Sequence, residues 1–379
     1  MIELATKRLK PGMVAAQSVF NSSGANYITR GTTLTQQYID RLRQLGVEGI
    51  HVTSMDAAAK LPPPEDILSE KTRAFAVKRV YDVFEQVTRT GTFDFDPLSQ
   101  ASAAIINDIM ARKGNLVQLT EIRLHDMYTF AHCVNVAMLC SMQGVLLGMN
   151  DTELSELTMG GLLHDLGKLV VPPDILNKPG RLTDEEFAIV KKHPAAGAEK
   201  ILKLNVPNVE RLAIVARLHH EKMDGTGYPN GRTHKTIHRY GRIGAIADVY
   251  DALTSRRPYK KAYTPAIAYN IMVHCSPGQF DEDLLKLFFS NVAIYPIGTV
   301  LKMSLGYGIV KSVEFGKTER PCVVVFADKD GHLYETPVQV DLSEEMEGYI
   351  DTVINDVDLF HFIHEIGFDP ASLLIDEAQ

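Results

Sequence analysis

The sequence predicts a mainly α-helical protein, with a small α/β module before the helical core and a small β appendage after it. From about residue 97 to residue 292, nearly every segment has helical hydrophobic spacing. The first 55 residues and residues 294–342 instead alternate with a period of two. We therefore divide the chain into an α/β module, a Pro-rich linker with a long helix, the helical core, and the appendage with a helical tail: residues 1–56, 57–96, 97–292 and 293–379.

The composition is that of a soluble globular protein. The 379 residues are 45% hydrophobic and 23% charged, and 39 Lys and Arg against 47 Asp and Glu give a net charge of −8. A general nucleic-acid or acidic-membrane binder would be basic. The four cysteines form no CxxC pattern, and we find neither a signal peptide nor an apolar run long enough to span a bilayer. We therefore expect a soluble cytoplasmic protein.

The first module combines a predicted hairpin with a short helix. Residues 13–20 and 27–29 flank the turn sequence of residues 21–24, which predicts two paired strands. Residues 35–45 predict a helix with Ile39, Leu42 and Leu45 on one face, and residues 49–52 predict a closing strand. No acidic triad with a lysine is present, which argues against a phosphorylation receiver. We expect a regulatory module that binds a signalling partner.

A stiff linker and a long helix follow this module. Residues 57–66 contain three consecutive prolines. Residues 66–90 then predict a helix with one apolar stripe, formed by Ile67, Val77, Val80, Tyr81, Phe84 and Val87. The stripe has two interpretations, packing within the chain or a homodimer seam, because it is too short to establish sustained heptads.

The motif Leu163-His164-Asp165-Leu166-Gly167-Lys168 lies near the end of a predicted helix. Asn150 and Glu153 form a capping pair at the start of this helix, and Gly160 and Gly161 allow another element to approach closely. The His-Asp pair offers a nitrogen ligand and a carboxylate that can bridge two metal ions. On a continuous helix, Lys168 would share a face with His164. An isolated His-Asp pair is weak evidence, since it is common by chance.

Two other histidine positions in the core are ambiguous when taken alone. His132 lies within residues 128–148, which predict a buried helix, and a lone histidine there is more often a satisfied core residue. Thr183 and Glu186 form a capping box, and Pro194 should break or kink the helix that they open, which leaves His193 near a helix end. A lone His193 would more often lie on the surface.

The remaining candidates are an adjacent histidine pair and two aspartates. Side chains of adjacent residues diverge by about 100° on a helix, so His219 and His220 reach one site most easily at a helix end. Asp248 lies in the apolar predicted helix 241–255, and a carboxylate there needs a partner such as a metal ion. We assign Asp251, on the same side, to substrate binding, with a helix cap or a partner of a metal ligand as alternatives.

Together, these residues predict a binuclear metal site. Imidazole and carboxylate ligands suit Mn, Fe, Ni or Zn. Two metal ions about 3.5–4 Å apart, bridged by one carboxylate, would acidify a bridging water to hydroxide and neutralise charge on an attacked phosphorus. The pattern therefore indicates a metal-dependent phosphohydrolase. Seven residues are the predicted ligands: His132, His164, Asp165, His193, His219, His220 and Asp248.

The sequence resembles the HD-GYP domain family of the HD phosphohydrolase superfamily. The resemblance rests on residues 164–168 (HDLGK) and 219–229 (HHEKMDGTGYP) and covers about residues 115–300. It includes residues 128–132 (YTFAH), 191–194 (KKHP), 248–254 (DVYDALT) and 257–260 (RPYK). The first 55 residues also resemble the small unit that precedes many such domains. The resemblance implies an HD-type helical core and hydrolysis of cyclic di-GMP to pGpG, with further cleavage to GMP left open.

The resemblance also implies roles for individual residues. The seven ligands would hold two metal ions, Fe first and Mn or Ni as alternatives, with Asp165 as the bridge. Lys168 would stabilise the negative charge that develops on the scissile phosphate. Arg257 and Lys260 would hold the substrate's phosphates, although alone they would more often form a solvated basic patch. The loop Gly227-Tyr228-Pro229 would shape the pocket for the guanines.

Two positions depart from the family pattern. Tyr128 occupies the place where some members carry a Glu ligand for a third metal, so we expect two metals. Cys133 follows His132 where Ser is usual. We expect Cys133 to pack, although a thiol beside a redox-active iron would make activity sensitive to oxidation. Two rival functions stay open: hydrolysis of another nucleotide, such as 3',3'-cGAMP or a linear one, and a non-catalytic cyclic di-GMP receptor.

Overall fold

A computed structural model describes residues 2–16, 19–20, 26–29, 31–44, 47, 49–53, 67–112, 128–255, 262–354, 359, 362–363 and 366–374. The described residues fall into two compact units. One unit comprises those within residues 1–66 and 289–379, and the other comprises those within residues 67–115 and 127–288. The finer division into four segments stays a prediction.

The N-terminal module is an α/β fold. Strands β1 (Ile2–Ala5), β2 (Val14–Ala15) and β5 (Gly49–Thr53) form an antiparallel sheet in the order β1-β5-β2. The predicted hairpin is confirmed, because β3 (Val19–Phe20) pairs antiparallel with β4 (Asn26–Ile28). Helix α1 (Gln36–Gln44) contributes Ile39 and Leu42 to the module's apolar core. The predicted turn at residues 21–24 and Leu45 lie outside the described residues.

The C-terminal appendage is an antiparallel sheet in the order β10-β6-β7-β8-β9. Its strands are β6 (Val300–Met303), β7 (Gly306–Ser312), β8 (Cys322–Ala327), β9 (Leu333–Asp341) and β10 (Ile350–Val353). Alternate residues feed two separate apolar clusters, so that Val324 and Phe326 lie in one and Val323 and Val325 in the other. The tail carries a short 3₁₀ helix, Pro370–Leu374. Gly306 and Gly308 do not form the turn that two nearby glycines would suggest, because they belong to β7 and the turn precedes them at Ser304 and Leu305.

The second unit is helical, as predicted for the core. Its helices are α2 (Glu70–Thr90), α3 (Phe95–Ala111), α4 (Tyr128–Leu146), α5 (Asp151–Leu163), α6 (Pro173–Leu176), α7 (Asp184–Val190), α8 (His193–Leu202), α9 (Val209–Leu218), α10 (Arg239–Thr254), α11 (Pro265–Val273) and α12 (Glu282–Phe289). A 3₁₀ helix, Leu166–Val170, follows α5.

Helix α4 is the central helix of this unit. It packs against α2, α3, α5 and α10, and its residues from Cys133 to Cys140 are buried except for Asn135. By length and composition, Thr129–Leu146 would suffice to cross a membrane, contrary to the expectation that no segment would, but 72% of this window is buried within the protein. Burial in a protein core accounts for its apolar character.

Close helix contacts depend on two adjacent glycines of α5. A Cβ at Gly161 would lie 2.7 Å from the Cα of Ala137 on α4, and a Cβ at Gly160 would lie 2.8 Å from Cγ2 of Val215 on α9. Real Cβ atoms do not approach other atoms so closely. The predicted close approach of another element is therefore confirmed, and it involves a different helix at each glycine.

Helix α2 begins four residues later than predicted, because Ser69 is its N-cap and accepts a hydrogen bond from the backbone N–H of Thr72. Its apolar stripe is covered within the chain, since Val77, Val80 and Phe84 are at most 6% exposed. This burial agrees with the interpretation of packing within the chain. A homodimer stays a prediction and does not depend on this stripe.

Candidate metal centre

The His-Asp pair lies at a break between two helices. Helix α5 opens with the predicted capping box of Asn150 and Glu153 and ends at Leu163, so that His164 is its C-cap residue. Asp165 then precedes the 3₁₀ helix Leu166–Val170. The prediction that His164 and Lys168 share one face of a continuous helix is therefore wrong. The turn instead brings the Lys168 ammonium into an ion pair with Asp165.

Three histidines each face a backbone carbonyl in the last turn of the preceding helix. The Nδ1 atoms of His164 and His193 lie 2.8 Å from the carbonyl oxygens of Gly161 and Val190, and Nδ1 of His219 lies 3.0 Å from that of Val215. A carbonyl oxygen only accepts hydrogen bonds, so the proton of each neutral ring is on Nδ1. The lone pair on Nε2 is left for a metal ion.

His193 reaches this position through a chain reversal that the sequence only partly predicts. The capping box of Thr183 and Glu186 opens α7 as expected. Pro194 does not end that helix, because α7 already ends at Val190 and Pro194 lies in the first turn of α8. Proline is tolerated there, since the first backbone N–H groups of a helix have no partner within it. His193 is thus the first residue of α8.

The Nε2 atoms of four histidines meet in two pairs. Nε2 of His132 lies 3.3 Å from Nε2 of His164, and Nε2 of His193 lies 3.2 Å from Nε2 of His219. Two nitrogens that bind the same ion, each about 2.0–2.1 Å from it, lie about as far from each other as the two nitrogens of each pair. His132, His164 and Asp165 form one group whose ligand atoms could hold an ion, and His193, His219 and His220 form a second.

Two aspartates extend between these groups. The Oδ2 atom of Asp165 lies 3.4 Å from Nε2 of His164, while its Oδ1 atom lies 3.6 Å from Nε2 of His193. Oδ1 of Asp248 lies 3.1 Å from Nε2 of His132, and its Oδ2 lies 3.6 Å from Nδ1 of His220. Each carboxylate therefore has one oxygen near each histidine group. The structure brings all seven predicted ligands together.

The local electrostatics favour cations. His164 and His219 are the C-cap residues of α5 and α9, and such a helix end carries roughly half a negative charge. Burial would raise the pKa of Asp165, but Lys168 and the neighbouring histidines hold it well below its usual range. Burial likewise opposes the charge of Asp248, but a hydrogen bond from His132 keeps its pKa well below the usual range. Both carboxylates are anions at neutral pH, so the residues fit divalent ions.

The histidines differ in their affinity for protons. Burial lowers the pKa of His193 and of His219 to about 4, so both rings are neutral and ready to bind a metal at pH 7. Burial also lowers the pKa of His164 and, more strongly, that of His220. Burial opposes the charge of His132 too, but hydrogen bonds with Asp248 and Asp251 raise its pKa to about 9.

Asp251 does not face a substrate site, as its predicted role in substrate binding would require. It is completely buried, and its Oδ2 atom lies 2.6 Å from Nδ1 of His132, while its Oδ1 atom accepts hydrogen bonds from Asn135 and Ser255. With both oxygens engaged, the carboxylate has no free face for a substrate. Asp251 is therefore the partner of His132, which was one of the alternatives.

The Gly227-Tyr228-Pro229 loop covers one side of the second histidine group. The Tyr228 ring stacks on His220 with centroids 4.6 Å apart and an interplanar angle of 29°. Phe187 makes an edge contact with Tyr228 at 6.1 Å, and the Lys191 ammonium lies 4.6 Å from the Phe187 ring centroid. Phe187 was not predicted, because it lies on the exposed side of the short helix α7, and Lys191, the C-cap residue of α7, was noted only as part of the run 191–194.

The loop is held in place by Glu221. This buried side chain accepts hydrogen bonds of 2.8 Å from the backbone N–H groups of Asn230 and Arg232. A carboxylate that accepts two backbone hydrogen bonds constrains the loop on the C-terminal side of Tyr228. Gly227 is required here, because a Cβ would lie 2.3 Å from the backbone nitrogen of Lys222.

Some predicted residues cannot be placed, and the expectation for Cys133 is supported. Arg257 and Lys260 lie outside the described residues, as does the side chain of Tyr128. Cys133 is fully buried, and burial raises the pKa of its thiol well above the usual value. Such a thiol stays protonated and is poorly reactive. The structure therefore favours packing over oxidation sensitivity for Cys133.

Comparison with known proteins gives a consistent set of relatives. A family model described as an HD domain matches residues 104–284. The chain is 33% identical to a cyclic di-GMP phosphodiesterase of Pseudomonas aeruginosa over 319 residues, which are 77% of this chain and 76% of that protein. It is 41% identical to a cyclic di-GMP phosphodiesterase of Thermotoga maritima, over 46% of each chain. It is 39% identical to a 3'3'-cGAMP-specific phosphodiesterase of Vibrio cholerae, over 47% of this chain and 34% of that one.

Proposed function

The chain belongs to the HD-domain family, in its HD-GYP group, and we propose on this basis that it is a metal-dependent phosphodiesterase that hydrolyses cyclic di-GMP. Curated relatives are named for this activity. The observation that carries the proposal is the convergence of buried, metal-ready imidazoles and two anionic carboxylates beside the Lys168 ammonium. A cation beside a set of metal ligands is suited to bind and cleave a phosphodiester.

Two divalent ions would occupy the site. His132 and His164 would contribute to one site and His193, His219 and His220 to the other, with Asp165 as the bridging ligand and Asp248 as the remaining carboxylate ligand. When bound, the ions would supply an activated water and neutralise charge on the phosphate. Fe is the first choice, with Mn or Ni as alternatives. Metal analysis that finds three ions per chain would contradict a count of two.

Lys168 is the residue we assign to the reacting phosphate. Its side chain is 25% exposed, so it lies at the boundary between the buried ligands and solvent. Burial opposes its charge, but Asp165 raises its pKa above the usual value. The ammonium is therefore a permanent positive charge over the working pH range, and it would stabilise the charge that develops on the phosphate oxygens.

The reaction adds water across one of the two phosphodiester bonds. The oxygen of water bonds to phosphorus, the bond from phosphorus to the ribose 3' oxygen breaks, and the departing oxygen takes up a proton. The product is linear pGpG, and a second round of the same chemistry would give GMP. Tyr228, with Gly227 and Pro229, would border the guanines, and Arg257 and Lys260 stay predicted phosphate contacts.

Product analysis by chromatography tests the proposal. Protein purified without oxygen, with its metal content measured, should convert cyclic di-GMP to pGpG or GMP and should lose this activity on chelation. Asp165→Asn and Asp248→Asn should abolish turnover, because each removes an anionic ligand near both histidine groups. Asp151→Asn, at the exposed start of α5, is the matched control. Full activity in both site variants would refute the site assignment.

A second substrate is favoured by one comparison. The match to a 3'3'-cGAMP-specific phosphodiesterase covers 47% of this chain, against 77% for the cyclic di-GMP enzyme of Pseudomonas aeruginosa, so this second substrate has less support. Side-by-side turnover of the two cyclic dinucleotides decides between them. Binding of cyclic di-GMP that survives metal removal, with no product from either compound, would instead support a receptor. Cytoplasmic location, a homodimer and a signalling partner of the N-terminal module stay predictions.

A further inference from the structure

His132 is held differently from His164, His193 and His219. The Nδ1 atoms of His164, His193 and His219 face backbone carbonyls, whose positions the helices fix. Nδ1 of His132 faces a side chain, the carboxylate of Asp251, at 2.6 Å. A carboxylate can rotate about its own bonds. The orientation of His132 therefore depends on whatever fixes Asp251.

Helices α4 and α10 each contribute two of the residues around His132. His132 and Asn135 are one turn apart on α4, and Asp248 and Asp251 are one turn apart on α10, so each pair shares a helix face. The Asn135 amide donates a hydrogen bond of 2.7 Å to Oδ1 of Asp251. Because the opposite oxygen faces His132, this bond sets the plane of the carboxylate. Ser255 donates a second bond of 2.9 Å to the same Oδ1.

The Asn135 amide is itself oriented by a third helix. The guanidinium of Arg73, on α2, donates a hydrogen bond to Oδ1 of Asn135, which leaves the amide nitrogen directed at Asp251. Arg73 is only 3% exposed. A buried guanidinium is costly without charge compensation, and the anionic Asp251 lies on the other side of the same amide. The arrangement is a continuous hydrogen-bonded chain from Arg73 through Asn135 and Asp251 to His132.

We propose that Asn135 and Arg73 are positioning residues for the metal centre, which act on His132 through Asp251. They fix the carboxylate, the carboxylate fixes the imidazole, and Nε2 of His132 is thereby directed at His164 and Asp248. The proposal rests on the assignment of His132 as a metal ligand in the proposed function. Helix α2 is the first helix after the Pro-rich segment in sequence, so a shift of α2 would be transmitted to one metal ligand through this chain.

The test is metal affinity, measured with purified full-length protein by competition with a chelator for Mn²⁺. Substitution of a group that orients a metal-binding histidine typically weakens affinity by about 10–100-fold. Asn135→Leu and Arg73→Met should weaken one of the two metal equivalents by such a factor and leave the other unchanged, because His193, His219 and His220 do not use this chain. Arg73→Lys retains a donor and should fall between Arg73→Met and the unchanged protein.

Ser141→Ala is the matched control. Ser141 is a buried polar residue on the same helix α4, and its hydroxyl bonds to the Ala137 carbonyl and to Thr158 rather than to any predicted ligand. It should lose stability in urea unfolding while it keeps both metal equivalents. Equal affinities in Asn135→Leu and the unchanged protein would overturn the proposal. So would weakening of both equivalents in proportion to the loss of stability, as a purely structural role predicts.

This readout separates the proposal from the proposed function. If the unchanged protein binds two ions but releases no product from cyclic di-GMP, the substrate assignment fails. The positioning role is then still tested by the Mn²⁺ affinities of the variants. If turnover is normal and Asn135→Leu keeps both affinities, the positioning role fails alone.

Discussion

Nε2 of His132 lies 3.3 Å from Nε2 of His164, deep in the helical unit where both rings are almost fully buried. Two nitrogen lone pairs at this distance repel each other unless a positive charge lies between or beside them. His132 has a pKa raised to about 9, despite the opposing effect of burial, because Asp248 and Asp251 bond to it. Without metal, a proton therefore supplies the positive charge, and a metal ion must compete with that proton.

The first prediction concerns pH and metal binding. The folded-state pKa of His132 lies above the ordinary value of 6.5, so the bound proton stabilises the metal-free protein below that value, and this stabilisation is lost as the pH rises through about 9. Metal affinity should accordingly rise by about tenfold per pH unit between roughly pH 7 and pH 9. Calorimetry in two buffers of different ionisation enthalpy should count about one proton released. An affinity independent of pH would contradict the protonated state of His132.

The second prediction concerns Lys168. Lys168→Met removes the charge assigned to the phosphate and should lower kcat by about 10²–10³-fold, the loss typical of one transition-state donor. The KM should change much less. Metal content must be measured in parallel, because Lys168 also pairs with Asp165. Lys178→Met, which removes a lysine paired with Glu186, is the control. A kcat within about threefold of the original for a fully metallated Lys168→Met would refute the role.

The third prediction concerns Phe187 as a platform for a base. Its ring is 40% exposed and contacts Tyr228, which in turn stacks on His220. Stacking of a base on an aromatic side chain contributes about 1–3 kcal/mol, so Phe187→Ala should raise the KM for cyclic di-GMP by about 5–150-fold at little change in kcat. Leu176→Ala removes an equally exposed apolar side chain, also 40%, and should leave the KM unchanged. Equal effects of both substitutions would argue against a base at Phe187.

The fourth prediction concerns the contact that places His193. A Cβ at Gly167 would lie 1.9 Å from the carbonyl oxygen of His193 and 2.5 Å from the nitrogen of Gly197. Gly167→Ala must push the 3₁₀ helix away from α8, and overpacking of this kind costs about 1–3 kcal/mol or more. Urea unfolding should show this loss, and metal analysis should show a weakened site.

Gly91→Ala is a useful comparison for this prediction. Gly91 has a φ of 78° but no neighbour within 4 Å of an added Cβ. Its substitution should cost about 1 kcal/mol through backbone strain alone and leave metal binding intact. Retention of full metal affinity in Gly167→Ala would show that the Gly167 contact does not position His193.

Local patterns predicted much of the helical unit. The capping boxes at Asn150 and Thr183 involve residues three positions apart, so their chemistry is visible in the sequence. The break after Leu163 was not predicted, because no glycine or proline marks it. The segment after the break packs closely on His193, because Gly167 approaches that residue, which lies 26 positions further along the chain. Periodicity carries no information about such contacts.

In the metal centre too, the residue types could be predicted from the sequence, but the contacts between distant residues could not. Seven ligands were recognised from a pattern of residue types, and the fold brings them together. Asp251 was assigned to substrate because its place on the helix face says nothing about which oxygen meets which donor. Asn135 was not predicted, because an asparagine in an apolar helix has no distinctive spacing. Its role depends on its hydrogen bonds with Arg73 and Asp251, which the sequence does not show.

The helix-end histidines have a practical consequence for anyone who needs an inactive protein that still folds. Replacing His164 or His219 by Ala removes a proposed metal ligand and also deprives the last turn of α5 or α9 of its hydrogen-bond donor. Loss of turnover in such a variant could then result either from the missing metal ligand or from unfolding of the last helical turn. Asp165→Asn and Asp248→Asn keep the volume of the side chain and remove no hydrogen-bond donor from the last turn of a helix, so loss of turnover in these variants reports on the metal centre itself.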